Sequence, residues 1–211
     1  LLGTGLLNPA EESQVAELLA SAPLGGGYGL RTMSTLDKGF SALSYHCGSI
    51  WPHDTAIALL GQTVSGAVGA AATLIDGLLS AAEAFDYQLP ELYGGDARTD
   101  VSRPVPYPGA CRPQAWAATA AVAILQAALG LVVDVPAGEV HLRPLPGLGA
   151  LEASGLRIAG RPVNISVDRA GAVRVSGVPS PLRVTTGSAR VPPPELADNL
   201  STVDTSTVDH Q

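Results

Sequence analysis

From Ala115 to Val133 the chain reads AWAATAAVAILQAALGLVV, apolar on every side of any helix it could form. A helix of that kind must be covered all round, either by lipid or by the rest of the protein. Thr119 and Gln126 interrupt the run, its commonest residue is the small alanine, and Asp134 ends it without the Lys or Arg that flank membrane spans. The segment is therefore predicted to be a buried helix, and no membrane partner is expected. The other elements of the 211-residue chain have to enclose it, and a hydrophobic content of 46% is enough to do so.

Those elements are separated by long irregular stretches. Asn8 and Pro9, followed by Glu11 and Glu12, form a helix start, with the helix expected to run to about Leu19. Gly25, Gly26, Gly27 and Gly29 then forbid regular structure, and loops of this length are usually functional. A second helix is expected with Ser49 as its cap, Pro52 in its first turn, and Ala56, Leu59 and Leu60 on its buried stripe. A third spans Val68 to Phe85 with Ala70, Leu74, Leu78 and Ala82 at helical spacing, leaving Asp76 and Glu83 on the wetter side. A second long loop carries Pro90, Pro104, Pro106 and Pro108 before the apolar helix, which begins near Pro113. Beyond Val133 come short strand-like runs, VHLRP, GLRIAG, RPVNISV, AVRVSGV and PLRVTT, in which Val163, Ile165 and Val167 alternate with polar residues. The resulting division is 1–134 helical, 135–190 a small antiparallel β appendage, and 191–211 a polar tail predicted to be disordered.

A formal charge of −7 argues against an electrostatic grip on nucleic acid or anionic membranes. Cys47 and Cys111 are the only cysteines, so a disulfide framework is not expected, and a reducing, cytoplasmic setting is the simpler reading. No signal-peptide pattern opens the chain, and its start at Leu1 suggests a piece of a longer protein.

The densest chemistry lies in YHCGSIWPHD, Tyr45 to Asp54. His46, Cys47, His53 and Asp54 invite a metal reading, but no further ligand with the right spacing completes a set, so no metal is expected. Sugar handling fits better, because carbohydrate sites combine flat aromatics with carboxylate, His and Arg on loops at the rim of a rigid scaffold. The loops hold Tyr28, Tyr45, Trp51, Tyr87, Tyr93 and Tyr107. Trp51 reads equally as a sugar wall or as helix packing, whereas Trp116 reads as packing. In QLPELYGGDAR, Glu91 stands beside Tyr93 and a glycine pair, and is the best candidate for a catalytic carboxylate; the alternative is a solvated loop acid.

Taken in order, GGGYGLRT, YHCGSIWPHD, LPELYGG and PYPGACRPQAW, with helices between them, resemble the C-terminal half of the catalytic domain of bacterial amylo-alpha-1,6-glucosidases of the glycogen-debranching type. These belong to the six-hairpin glycosidases, and the resemblance covers about Leu1 to Val133. It implies a mainly α fold, the C-terminal portion of an (α/α)6 toroid, followed by a small β segment. It further implies an inverting hydrolase acting on the α-1,6 branch linkages of glycogen-like polymers, with an oligo- or polysaccharide substrate and no cofactor.

By this resemblance Glu91 is the general base; Arg31, Tyr45, His46, Trp51, His53, Asp54 and Tyr93 line the sugar subsite, Arg31 as a hydroxyl or loop anchor. The general acid is expected upstream, and about four helices stand against the twelve of a full toroid. A fragment, or a chain completed by a partner carrying the N-terminal part of the barrel, is therefore expected. Two other readings stay open. One is a sister hydrolase acting on a disaccharide or mannosylglycerate, and the other is a noncatalytic carbohydrate-binding remnant.

Overall fold

The computed structural model describes residues 1–187; the expected disordered tail, 191–211, lies outside the described residues. Four helices occur among them: α1 (Pro9–Ala20), α2 (Pro52–Ser65), α3 (Val68–Ala84) and α4 (Ala115–Leu129). The start of α1 is held by a capping box, in which the Asn8 side chain accepts from the amides of Ala10 and Glu11 while Glu11 accepts from the Asn8 amide. Ser49 does not cap α2. Trp51 occupies the cap position, and Ser49 is buried, with its hydroxyl bonded to the carbonyl of Tyr45.

Helix α2 ends at Gly66 in the left-handed conformation, φ 83°, and α3 starts two residues later. In α4 the buried positions Ala117, Ala120, Ala123 and Ala127 recur every three or four residues and present methyl groups to the neighbouring helices. These alanines join Tyr28, Ile50, Leu59, Leu78, Phe85 and Tyr93 in one hydrophobic cluster. No helix among the described residues is long and apolar enough to cross a membrane.

The apolar run is shorter as a helix than its sequence predicts. Gly130 adopts φ 54°, and a side chain there would collide with the backbone of Arg143. The chain turns at that point, and Leu131–Asp134 becomes strand β1. Strands β2 (Glu139–Leu142), β3 (Leu151–Ile158), β4 (Arg161–Val167), β5 (Val173–Ser176) and β6 (Arg183–Thr186) follow, close to the predicted runs. They form two three-stranded sheets, one ordered β1-β2-β6 with a parallel β2–β6 pair, the other an antiparallel β3-β4-β5 meander. Val163, Ile165 and Val167 face a second cluster with Val140, Leu142, Ile158 and Leu129.

The expected mainly α architecture, a portion of an (α/α)6 toroid, is therefore incorrect: the protein is a mixed α/β fold of four helices and two small sheets among the described residues. The cause lies in the last third of those residues, where alternating β-branched side chains and glycine turns commit the chain to strands. The long loops also differ from free rim loops. Arg31, Ile50, Tyr93 and Pro106 lie side by side in antiparallel bridges, Arg31 to Ile50, Ile50 to Tyr93 and Tyr93 to Pro106. Ile50 and Tyr93 exchange both backbone hydrogen bonds, at 2.9 and 3.0 Å. The irregular segments thus make a narrow lateral ladder that floors the region before α2 and α4.

Candidate functional site

Above this ladder the side chains before α2 and α4 form a layered aromatic cluster. The Trp51 indole, 6% exposed, lies under the imidazole of His46, with ring centres 5.6 Å apart and planes 6° from parallel. Its N–H is directed to the Tyr45 carbonyl at 3.0 Å and the Ser49 hydroxyl at 3.2 Å. Trp116 meets Trp51 edge-on at 6.1 Å and is stacked with His53 at 5.1 Å. The Tyr45 ring packs edge-on against Trp51 at 4.8 Å and Tyr107 at 5.8 Å. Contacts of this kind hold rings in fixed orientation and add to the gain from burial.

Glu91 joins the cluster through Tyr45. Its backbone N–H donates to Cys111 O at 3.0 Å, which fixes the residue beside the segment leading into α4. The side chain is mostly covered, at 9% exposure, and Oε1 accepts a 2.6 Å hydrogen bond from the Tyr45 hydroxyl. Oε2 has a longer contact, 3.4 Å, from the Cys111 N–H. The Tyr45 phenol is pushed up to about 12, first by the hydrogen bond to Glu91, then by burial and the repulsion of the same carboxylate. A phenol held protonated is a standing donor to the carboxylate, so Tyr45 fixes one oxygen of Glu91 while the Cys111 N–H approaches the other.

The other expected site residues divide. Tyr45, His46, Trp51 and Glu91 come together, and His53 joins them through Trp116. Asp54 is exposed in the first turn of α2, with no hydrogen-bonded partner for its carboxylate among the described residues. Arg31 is buried and serves as a loop anchor. Its Nε donates to Gly95 O at 2.5 Å, and Nη1 donates to Ala22 O at 2.8 Å and to Pro23 O at 3.4 Å. Burial lowers its pKa, with Asp96 and Asp100 pulling the other way. Tyr93 has no exposed surface and donates to Tyr28 O at 2.7 Å, so it supports the ladder from the core and cannot line a sugar subsite. Tyr28 is likewise buried, and Tyr87 is exposed.

Trp116, read from the sequence as packing, is 45% exposed. Its position, one residue before the Ala117 stripe, was the available signal. Cys47 is half-buried and Cys111 exposed, both as free thiols. Among the described residues no three His, Cys, Asp or Glu side chains gather as a metal site. A groove of about 500 Å³ lies elsewhere, lined by Thr63, Leu142, Arg143, Pro146 and Val173 among others. Among the described residues Arg143 is the one charged residue lining it, so the groove offers no acid–base pair. Comparison of the chain with models of protein families and with curated proteins gives no match.

Proposed function

We propose that this protein handles neutral glucan and contributes the base half of an inverting glycoside hydrolase site, acting on α-1,6 branch linkages. The single observation that carries the reading is the 2.6 Å Tyr45–Glu91 bond at the edge of the aromatic cluster. In the proposed reaction Glu91 Oε2 takes a proton from a water whose oxygen attacks the anomeric carbon, while the glycosidic oxygen leaves with a proton from a general acid. That acid is to come from a segment outside the described residues or from a partner. His46 and His53 supply hydroxyl contacts, and Trp51 stiffens the wall without facing the sugar. The two free thiols support a reducing, cytoplasmic setting.

A noncatalytic carbohydrate-binding role is the second reading. It is favoured by the lack, among the described residues, of a second carboxyl bonded into the cluster that holds Glu91. α-Glucosyl fluoride separates the two, because fluoride departs without a general acid and its hydrolysis tests the base alone. The chain is expected to release fluoride and β-glucose, and Glu91→Gln to lose that activity while still binding isomaltotriose. Equal fluoride release by both proteins sinks the base assignment; sugar binding with no fluoride release supports the second reading. Failure to bind any glucan removes both.

A further inference from the structure

The two tryptophans of the cluster differ in what they leave open. Trp51 has 6% of its surface exposed, its face is under His46 and its N–H is used within the protein. A pyranose stacks its apolar face on an aromatic ring, and Trp51 has no free face to offer. Trp116 is different. It precedes the buried Ala117, Ala120, Ala123 and Ala127 stripe by one residue, which turns it about 100° away from the helix interior. His53 covers one side of its indole at 5.1 Å and 19° from parallel, and Trp51 meets its edge at 73°, yet 45% of its surface remains exposed. The plate is therefore rigid, backed and open.

Charge selects its occupant. The ionisable groups closest in the cluster are His46, His53 and Glu91, with Asp54 on the same first turn of α2 as His53. Arg112, four positions before Trp116, is engaged with the Phe85 carbonyl and lies 3.8 Å from Asp86. Arg112 is thus engaged away from the plate and is not free to favour a phosphate-bearing ligand there, and an uncharged ring with hydroxyls for His53 fits the setting.

We propose that Trp116 is a stacking platform for a second pyranose, beside the unit held at Glu91, so that the site recognises at least two linked neutral sugars. The proposal rests on the reading of the Glu91 region as a sugar site and specifies the minimum length of its ligand.

Calorimetric titration of the full chain with methyl α-glucoside, a single ring, and with isomaltotriose tests it, with Tm measured for every variant. Trp116→Ala is expected to weaken isomaltotriose binding about tenfold and to leave the single-ring ligand within about twofold. Trp116→Phe, which keeps a flat ring, is expected to retain most of the affinity for isomaltotriose. Unchanged isomaltotriose binding by Trp116→Ala overturns the platform and leaves the Glu91 site standing. Equal losses for both ligands with a lowered Tm, unrelieved by Trp116→Phe, make the residue structural and also overturn it. If the unaltered protein binds neither ligand, the sugar-site reading falls and takes the platform with it.

Discussion

The hydroxyl of Tyr45 and the carboxylate of Glu91 meet at 2.6 Å across 46 positions of sequence, joining the loop before α2 to the loop before α4. The contact ties the candidate base to the aromatic layer, so chemistry and architecture share one bond.

That bond has a pH signature. Tyr45 titrates near 12 in the fold against 10.0 for an ordinary tyrosine, so between these values the folded state keeps a proton that the unfolded chain has lost. Stability from this group is fully present below pH 10 and falls as the pH rises through 12. Urea midpoints measured across this window are expected to drop more shallowly for Tyr45→Phe than for the unaltered protein. Some slope remains, because burial also raises the Tyr93 pKa. Identical slopes would show that the phenol gains nothing from Glu91.

Trp51→Ala is expected to be among the most damaging single changes in the site. It empties a buried indole position and frees His46 from its stacking partner and Trp116 from an edge contact. A loss of about 3–5 kcal/mol follows for a large aromatic cut to alanine, read from urea unfolding. A loss below about 1 kcal/mol would mean that the indole is not enclosed as described.

Arg31→Met keeps the aliphatic stem but removes the donors to Gly95, Ala22 and Pro23. Of the three acceptors only Gly95 is buried, and its carbonyl left without a partner costs about 1–3 kcal/mol, whereas Ala22 and Pro23 are partly or fully open to water. Because the anchor holds the loops beneath the site, isomaltotriose affinity should fall along with Tm. Loss of affinity at unchanged Tm would instead favour direct sugar contact by Arg31.

Gln62 makes the opposite prediction. It is fully buried in α2, and neither atom of its amide has a hydrogen-bond partner among the described residues. Gln62→Leu removes the desolvated amide at similar volume and is expected to stabilise by about 1–2 kcal/mol. For a chain of this size each kcal/mol raises Tm by about 2–4 °C in a calorimetric scan. A lower Tm would reveal a partner for the amide.

Much of the secondary structure was legible because it is written locally. Asn8 with Glu11 marks the start of α1, and the Val163, Ile165, Val167 alternation marks β4. Strand β1 was hidden, since Leu131 to Val133 continues an apolar run with no change of period, and only the turn at Gly130 separates the two states. The toroid expectation came from the order of four motifs; no periodicity carried it, and the sheets overturn it. The ladder through Arg31, Ile50, Tyr93 and Pro106 was beyond reach for another reason. Single-residue bridges between distant loops leave no repeat in the sequence. Glu91, Tyr45, His46 and Trp51, expected in one site, lie together in the structure, while the burial of Tyr93 depends on which loops pair.

The ladder also decides how the region around Glu91 loosens. The amides of Ile50 and Tyr93 bond only to each other's strand, and both residues are sealed in the main core. Their deuterium uptake should consequently track opening of the entire helical layer, with no faster local route. A region framed in this way cannot breathe by peeling back a local flap.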